Sequence, residues 1–103
     1  MGATPSERSV QLRITGRVQG VGYRAWTEYT ALEIGLEGWV RNRADGTVEA
    51  LFAGPSAVVA SMLDACRQGP PGARVGAIDE REATQDDLAQ RRPGELFSVL
   101  MTA

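Results

Sequence analysis

The sequence contains no histidine, no lysine and a single cysteine among its 103 residues. The missing histidine removes imidazole acid–base chemistry, Ser-His-Asp and Cys-His nucleophile systems, and His-containing metal sites in one step. Any catalysis therefore falls to arginine, carboxylates, amides, hydroxyls, the backbone or the substrate itself. The lone Cys66 excludes an internal disulfide and suits a reducing compartment, so a cytoplasmic location is expected. No stretch approaches the ~20 apolar residues required to cross a bilayer. The opening Met1 to Val10 lacks an apolar h-region, so no secretory signal is read and no membrane partner is expected. Nor does one sign of charge dominate. Eleven arginines face thirteen Asp and Glu, a net charge of −2, which argues against a general polyanion binder and against a nucleic-acid partner.

What is present suffices for one core. Hydrophobic residues make up 43% of the chain, and a chain of this length buries roughly 65% of the surface its unfolded form exposes. Multidomain machines, eight-stranded barrels and two-halved nucleotide folds are excluded by size. Residues 1–8 are mostly small or polar, contain Pro5, and are expected to form a flexible tail, with residues 9–103 as a single domain.

Val10, Leu12 and Ile14 alternate with Gln11, Arg13 and Thr15, the period of a half-buried strand. Gly16-Arg17-Val18-Gln19-Gly20-Val21-Gly22 is too glycine-rich for a comfortable helix or strand and reads as a short loop. A helix is predicted over Arg24 to Ile34, with Ala25, Tyr29 and Leu32 on its apolar face and Gly35 as its C′ stop. Leu36 to Asn42 reads as a strand, with Val40 and Asn42 on one side and Trp39, Arg41 and Arg43 on the other. Asp45-Gly46 signals a hairpin, and Thr47 to Ala53 returns with Val48, Ala50 and Phe52 on one face. Ser56 is the expected cap of a second helix, whose stripe is Val58, Val59, Met62, Leu63 and Cys66. On that stripe Cys66 reads as a buried thiol rather than a nucleophile. Gly69-Pro70-Pro71-Gly72 ends the helix.

Ala73 to Ile78 is a short predicted strand. Asp79 to Arg92 is strongly acidic and reads as strand extension, loop or a loose helical turn, and Leu96 to Met101 closes the chain as a strand. The acids of the linker lack the ordered spacing and central glycine of a calcium loop and read as a solvated face. The order predicts an α+β class: a ferredoxin-like α/β sandwich, two helices on one face of a mostly antiparallel sheet, βαββαβ with an additional or extended strand.

Two residues stand out for chemistry. The glycine-rich turn before the first helix either makes a tight connection or aims successive N–H groups into one concavity that holds an oxyanion. Arg24 sits in that helix's first turn, where the dipole disfavours a cation by a few tenths of a kcal/mol. It is either a solvated arginine or a fork that grips an anion. Asn42 ends a strand beside Asp45-Gly46. It either caps its own turn or uses its amide to hold a water and a substrate oxygen. Tyr23 either lines the entrance or fills core, and Trp26 and Trp39 read as packing residues.

The runs Gly16-Arg17-Val18-Gln19-Gly20-Val21-Gly22-Tyr23-Arg24, Gly38-Trp39-Val40-Arg41-Asn42 and Asp45-Gly46-Thr47-Val48-Glu49 together resemble the acylphosphatase family, as do Gly69-Pro70 and Ala73-Arg74-Val75. The likeness covers nearly the whole chain from Val10 onward. The family usually has Phe where this chain has Tyr23, a swap that keeps the ring and adds a hydroxyl. The resemblance implies a small hydrolase of acyl phosphates that needs no metal or cofactor. It implies that Arg24 binds phosphate, that Asn42 positions the attacking water, and that the backbone N–H groups of Gln19, Gly20, Val21, Gly22 and Tyr23 complete the cradle.

That chemistry is compatible with the missing histidine. The leaving carboxylate is a weak base and needs no strong general acid. A loose phosphoryl-transfer transition state asks mainly for positioning and charge stabilisation. The expected partners are a small acyl phosphate and phosphate, and the expected state is a monomer. Two alternatives remain open at this level: a catalytically silent phosphate-ligand-binding module, and an RNA-binding ferredoxin-like module that would expose aromatics on its open sheet face.

Overall fold

The computed structural model describes residues 6–103. The elements are β1 (Glu7–Arg17), α1 (Tyr23–Glu33), β2 (Glu37–Asn42), β3 (Val48–Pro55), α2 (Ser56–Gln68), β4 (Arg74–Glu82), α3 (Gln85–Leu88) and β5 (Phe97–Val99). They build one five-stranded sheet in the order β4-β1-β3-β2-β5. β1 runs antiparallel to both β3 and β4, and β2 antiparallel to β3. The additional strand is β5, which pairs parallel with β2. The result is the ferredoxin-like βαββαβ sandwich with a fifth strand on the β2 edge.

Alternation along the strands divides the residues as the period-two pattern requires. Val10, Leu12, Ile14, Val40, Val48, Ala50 and Phe52 join Val59, Met62 and Cys66 of α2 in the main core. Each large aliphatic among them contributes about 1.5–3 kcal/mol by leaving water. Across the sheet, Trp39, Leu51 and Ala53 form a smaller cluster covered by Ala83, Leu88 and Leu100. The sheet begins inside the tail expected over 1–8: Glu7 and Arg8 already pair with Pro55 and Gly54. Residues 1–5 lie outside the described residues.

Helix α1 turns a different face inward from the one predicted. Tyr23, Thr27 and Ala31 are buried, while Tyr29 and Leu32 are 68% and 45% exposed. The helix starts one residue earlier than expected, at Tyr23, and that large ring sets the phase. Thr27 tolerates burial because its hydroxyl donates to the Tyr23 carbonyl at 2.8 Å. The stop at Gly35 is as expected. Its φ is 77°, and the bonds Gly35 N to Leu32 O (3.2 Å) and Leu36 N to Ala31 O (2.9 Å) form a Schellman motif. In α2 the N-cap position falls on Pro55, so Ser56 is the first helical residue rather than the cap.

The region 79–95 combines all three expected conformations. β4 runs on to Glu82, four residues past Ile78. Its register against β1 slips between Thr15 and Gly16, a bulge that leaves Gly76 unopposed. The bulge lets Val75 and Ile78, three residues apart, both pack on the core. Thr84 and Asp87 then close a capping box over α3. That turn brings the Asp87 carbonyl to 2.8 Å from Trp39 Nε1. The last strand is confined to Phe97–Val99, narrower than Leu96 to Met101.

Backbone proximity makes Gly38 irreplaceable. Its φ is 147°, and a Cβ there would stand 1.8 Å from the Leu51 carbonyl oxygen. Gly38→Ala should therefore destabilise the protein by about 3 kcal/mol or more, read as a fall in the denaturant midpoint. An unchanged midpoint would contradict this packing.

Glu49 is the buried charge of the opposite face, 6% exposed. Its Oε1 accepts from Arg41 Nε at 2.8 Å and Arg43 Nη1 at 3.0 Å, and Gln11 Nε2 bonds to Oε2. Burial pushes its pKa up, but the hydrogen bonds and charges of Arg41 and Arg43 outweigh that and hold the carboxyl below its ordinary value. A depressed folded pKa gives stability that is complete above the ordinary value of 4.5 and lost as pH falls through the folded value. Denaturation midpoints should accordingly fall on acidification, and less steeply in Glu49→Gln. Identical slopes in the two proteins would show that Glu49 contributes nothing to acid lability.

Candidate active site

The loop after β1 has the backbone of an anion nest. Gly20 and Gly22 hold φ of 75° and 80°, and among the described residues no non-glycine residue has positive φ. Gln19 and Val21 thus alternate in sign with the two glycines, and such alternation turns successive N–H groups toward one side. A Cβ at Gly20 or Gly22 would meet nothing within 4 Å. Glycine is there for its conformation, not for space. Gly22 is also the N-cap of α1 in the left-handed region. The first backbone bond of the helix runs from Trp26 N to Gly22 O at 3.0 Å. Among the described residues, the N–H groups of Gln19 to Tyr23 donate to no protein acceptor. They are orphan donors at the positive end of a helix.

Packing beneath the loop fixes where these donors stand. Tyr23 is 1% exposed, and its hydroxyl donates to the Cys66 carbonyl at 2.6 Å. The Trp26 ring meets it edge-on at 5.4 Å between centroids. Gly69, at φ 64°, has no side chain because a Cβ would lie 2.6 Å from the Tyr23 ring. The start of α1 is thereby bolted to the end of α2. Desolvation raises the Tyr23 pKa above the ordinary phenol value. Burial also pushes the Cys66 thiol up to about 12, so it stays protonated at neutral pH, in keeping with a packing thiol.

A cleft of about 480 Å³ opens above the loop, lined by Gln19, Gly20, Gly22, Tyr23, Arg24 and Asn42 together with Val18, Ala25, Glu28 and Val99. It brings together every expected site residue except Val21. The Val21 side chain packs on the core and toward Gly72 instead. Arg24 is half-buried, and among the described residues it forms no ion pair. Asn42 is half-buried too. Its backbone is held on both sides, by pairing with Val48 and by the Ala103 N–H at 3.0 Å.

The turn-capping role open to Asn42 belongs to Asp45. Its Oδ1 accepts from Thr47 N at 3.0 Å and Thr47 Oγ1 at 2.7 Å, bonds that lower its pKa. Asn42 lines the cleft, and among the described residues its side-chain amide makes no hydrogen bond. Four lining residues were not expected in the site: Val18, Ala25, Glu28 and Val99. Glu28 stands one turn after Arg24, a spacing that puts both on one helix side. Val99 carried no local signal, because only the parallel pairing of β5 brings it there. Among the described residues, no group of three His, Cys, Asp or Glu comes together as a metal site.

Fold and cleft define a ferredoxin-like α/β sandwich whose first strand–helix connection presents orphan N–H donors at a helix N-terminus. The family model described as acylphosphatase matches residues 10–92. Acylphosphatase of Rhodopseudomonas palustris (strain BisB18) is 59% identical over 92 residues, 89% of this chain and 93% of its own length. That of Bradyrhizobium diazoefficiens is 59% identical over 97 residues, 94% of this chain and 98% of its own. The crystal structure of acylphosphatase from Bacillus subtilis superposes with a TM-score of 0.76 at 34% identity, covering 89% of this chain and 97% of that one. The chain belongs to the acylphosphatase family.

Proposed function

We propose that this chain hydrolyses the carboxyl–phosphate bond of small acyl phosphates, releasing a carboxylate and inorganic phosphate. Family membership supports the reaction. The observation that carries the division of labour is the shared cleft, which Arg24 lines from α1 and Asn42 from the end of β2. In this reading Arg24 and the N–H groups of Gln19 to Tyr23 hold the phosphoryl oxygens, and Asn42 orients water for in-line attack on phosphorus. The P–O bond to the acyl group breaks as the water oxygen bonds to phosphorus. The carboxylate leaves with the bonding pair, and the water proton passes to a phosphoryl oxygen, because a neutral amide is a poor base. We place the enzyme in the cytoplasm as a monomer, without cofactor, nucleic-acid partner or membrane attachment. No helix among the described residues is long and apolar enough to cross a membrane.

The RNA-binding alternative fits the sheet poorly. On the sheet face away from α1 and α2, Trp39 is 0% exposed and lies under α3, leaving Gln11, Arg13, Arg41 and Arg81 rather than stacking rings on that face. A silent phosphate binder is separated by turnover. The test is hydrolysis of acetyl phosphate in the presence of a chelator, by wild type, Arg24→Ala and Asn42→Ala. Sustained turnover by wild type, lost in both folded variants, is the expected result. Phosphate binding without turnover in wild type would make it a binding module.

A further inference from the structure

The side chain of Gln19 reaches out of the loop that its backbone helps to form. Its Nε2 donates to two main-chain carbonyls, Arg43 O at 2.8 Å and Thr47 O at 2.8 Å. Both partners accept only, so the NH₂ end of the amide must face them. The same two residues close the β2–β3 hairpin, through Arg43 N to Thr47 O at 2.9 Å and Gly46 N to Arg43 O at 3.1 Å. Gln19 therefore lands on the neck of the hairpin, one residue past Asn42. Among the described residues, no other hydrogen bond joins residues 18–22 to the hairpin.

The cleft has two walls with separate supports. One is the loop and the start of α1, bolted to α2 through Tyr23 and Cys66. The other is the end of β2, held by β3, by Glu49 through Arg41 and Arg43, and by the Ala103 N–H. Gripping a phosphoryl group needs the first wall alone, whereas in-line attack needs the first wall at a fixed distance from the second. We infer that Gln19 is the positioning residue that sets this distance: its amide bridges the anion-holding loop to the hairpin carrying Asn42, and so governs turnover more than phosphate affinity. The inference rests on the roles proposed above for Arg24 and Asn42.

The test uses Gln19→Leu and Gln19→Glu in the full chain, with acetyl phosphate as substrate and inorganic phosphate as competitive inhibitor. Leucine keeps the bulk and loses both bonds. A misplacement near 1 Å costs on the order of 10²-fold in rate, so kcat of Gln19→Leu should fall about 10- to 100-fold, while the phosphate inhibition constant moves far less. Glutamate discriminates more sharply. Ionised, it sets a carboxylate against two carbonyl oxygens, and protonated it donates to one of them. Gln19→Glu should therefore regain activity as pH falls through that carboxyl's titration, on a limb absent from wild type and from Gln19→Leu. A kcat close to wild type in folded Gln19→Leu overturns the inference, as does a loss of phosphate binding equal to the loss of turnover. A Gln19→Glu profile superimposable on wild type also overturns it, and this profile decides alone should Gln19→Leu not fold. If instead Arg24→Ala and Asn42→Ala turn over like wild type, it is the underlying site reading that fails.

Discussion

Arg24→Ala should lower turnover of an acyl phosphate by about 10³-fold or more and remove competitive inhibition by inorganic phosphate. Both losses follow from where the guanidinium stands. Arg24 is half-buried and lines the cleft together with the loop residues Gln19, Gly20 and Gly22. It forms no ion pair among the described residues, so its removal frees no buried carboxylate, and the fold should survive. Charge on a phosphoryl group is present in the bound product as well as in the transition state. One arginine therefore serves affinity and rate together. Arg24→Lys keeps the charge but not the planar fork, and should recover binding better than rate. Phosphate inhibition left intact in Arg24→Ala, with the variant folded by circular dichroism, would remove the arginine from the anion site.

Much of this site was legible because it is local. The glycines at 20 and 22, the start of the helix that follows them and Arg24 lie within five consecutive residues, and each of their expected roles depends on backbone conformation that sequence encodes directly. The α2 stripe was legible for a related reason. Val59, Met62 and Cys66 repeat at helical spacing, with nothing competing for the inner face. On α1 the same logic failed. Tyr29 and Leu32 are apolar at a plausible spacing, yet Tyr23 and a self-satisfied Thr27 took the core side. Hydrophobicity alone does not record a hydroxyl that bonds back along its own helix. The region after Ile78 was obscure because its order is set at long range. A bulge at Gly76, a capping box closing on Trp39 and a three-residue parallel strand each need a partner far away in sequence. Val99 and the side-chain reach of Gln19 were invisible for the same reason, since both depend on strands meeting across the sheet.

The Asn42 prediction turns on what the neighbouring hairpin already does for itself. Asp45 caps the turn through Thr47, Arg43 and Thr47 close it, and Glu49 ties down Arg41 and Arg43 on the opposite face. None of these bonds uses the Asn42 amide, so Asn42→Ala should leave the hairpin and the overall stability nearly unchanged. Arg24 and the loop amides remain to hold phosphate, so the inhibition constant should stay within a few-fold of wild type. Turnover should nevertheless fall about 10²- to 10³-fold, because the water loses the group that aims it at phosphorus. Asn42→Asp sharpens the comparison. A carboxylate is a stronger base than an amide, but it brings a negative charge toward the anionic phosphoryl group, and it can no longer donate. If orientation is what the reaction lacks, Asp should not restore the rate and should weaken phosphate binding. If proton removal were limiting, Asp would outperform asparagine. Single-turnover rates and phosphate inhibition measured on the two variants separate these cases, and a faster Asn42→Asp would transfer the proton-accepting role from the substrate to residue 42.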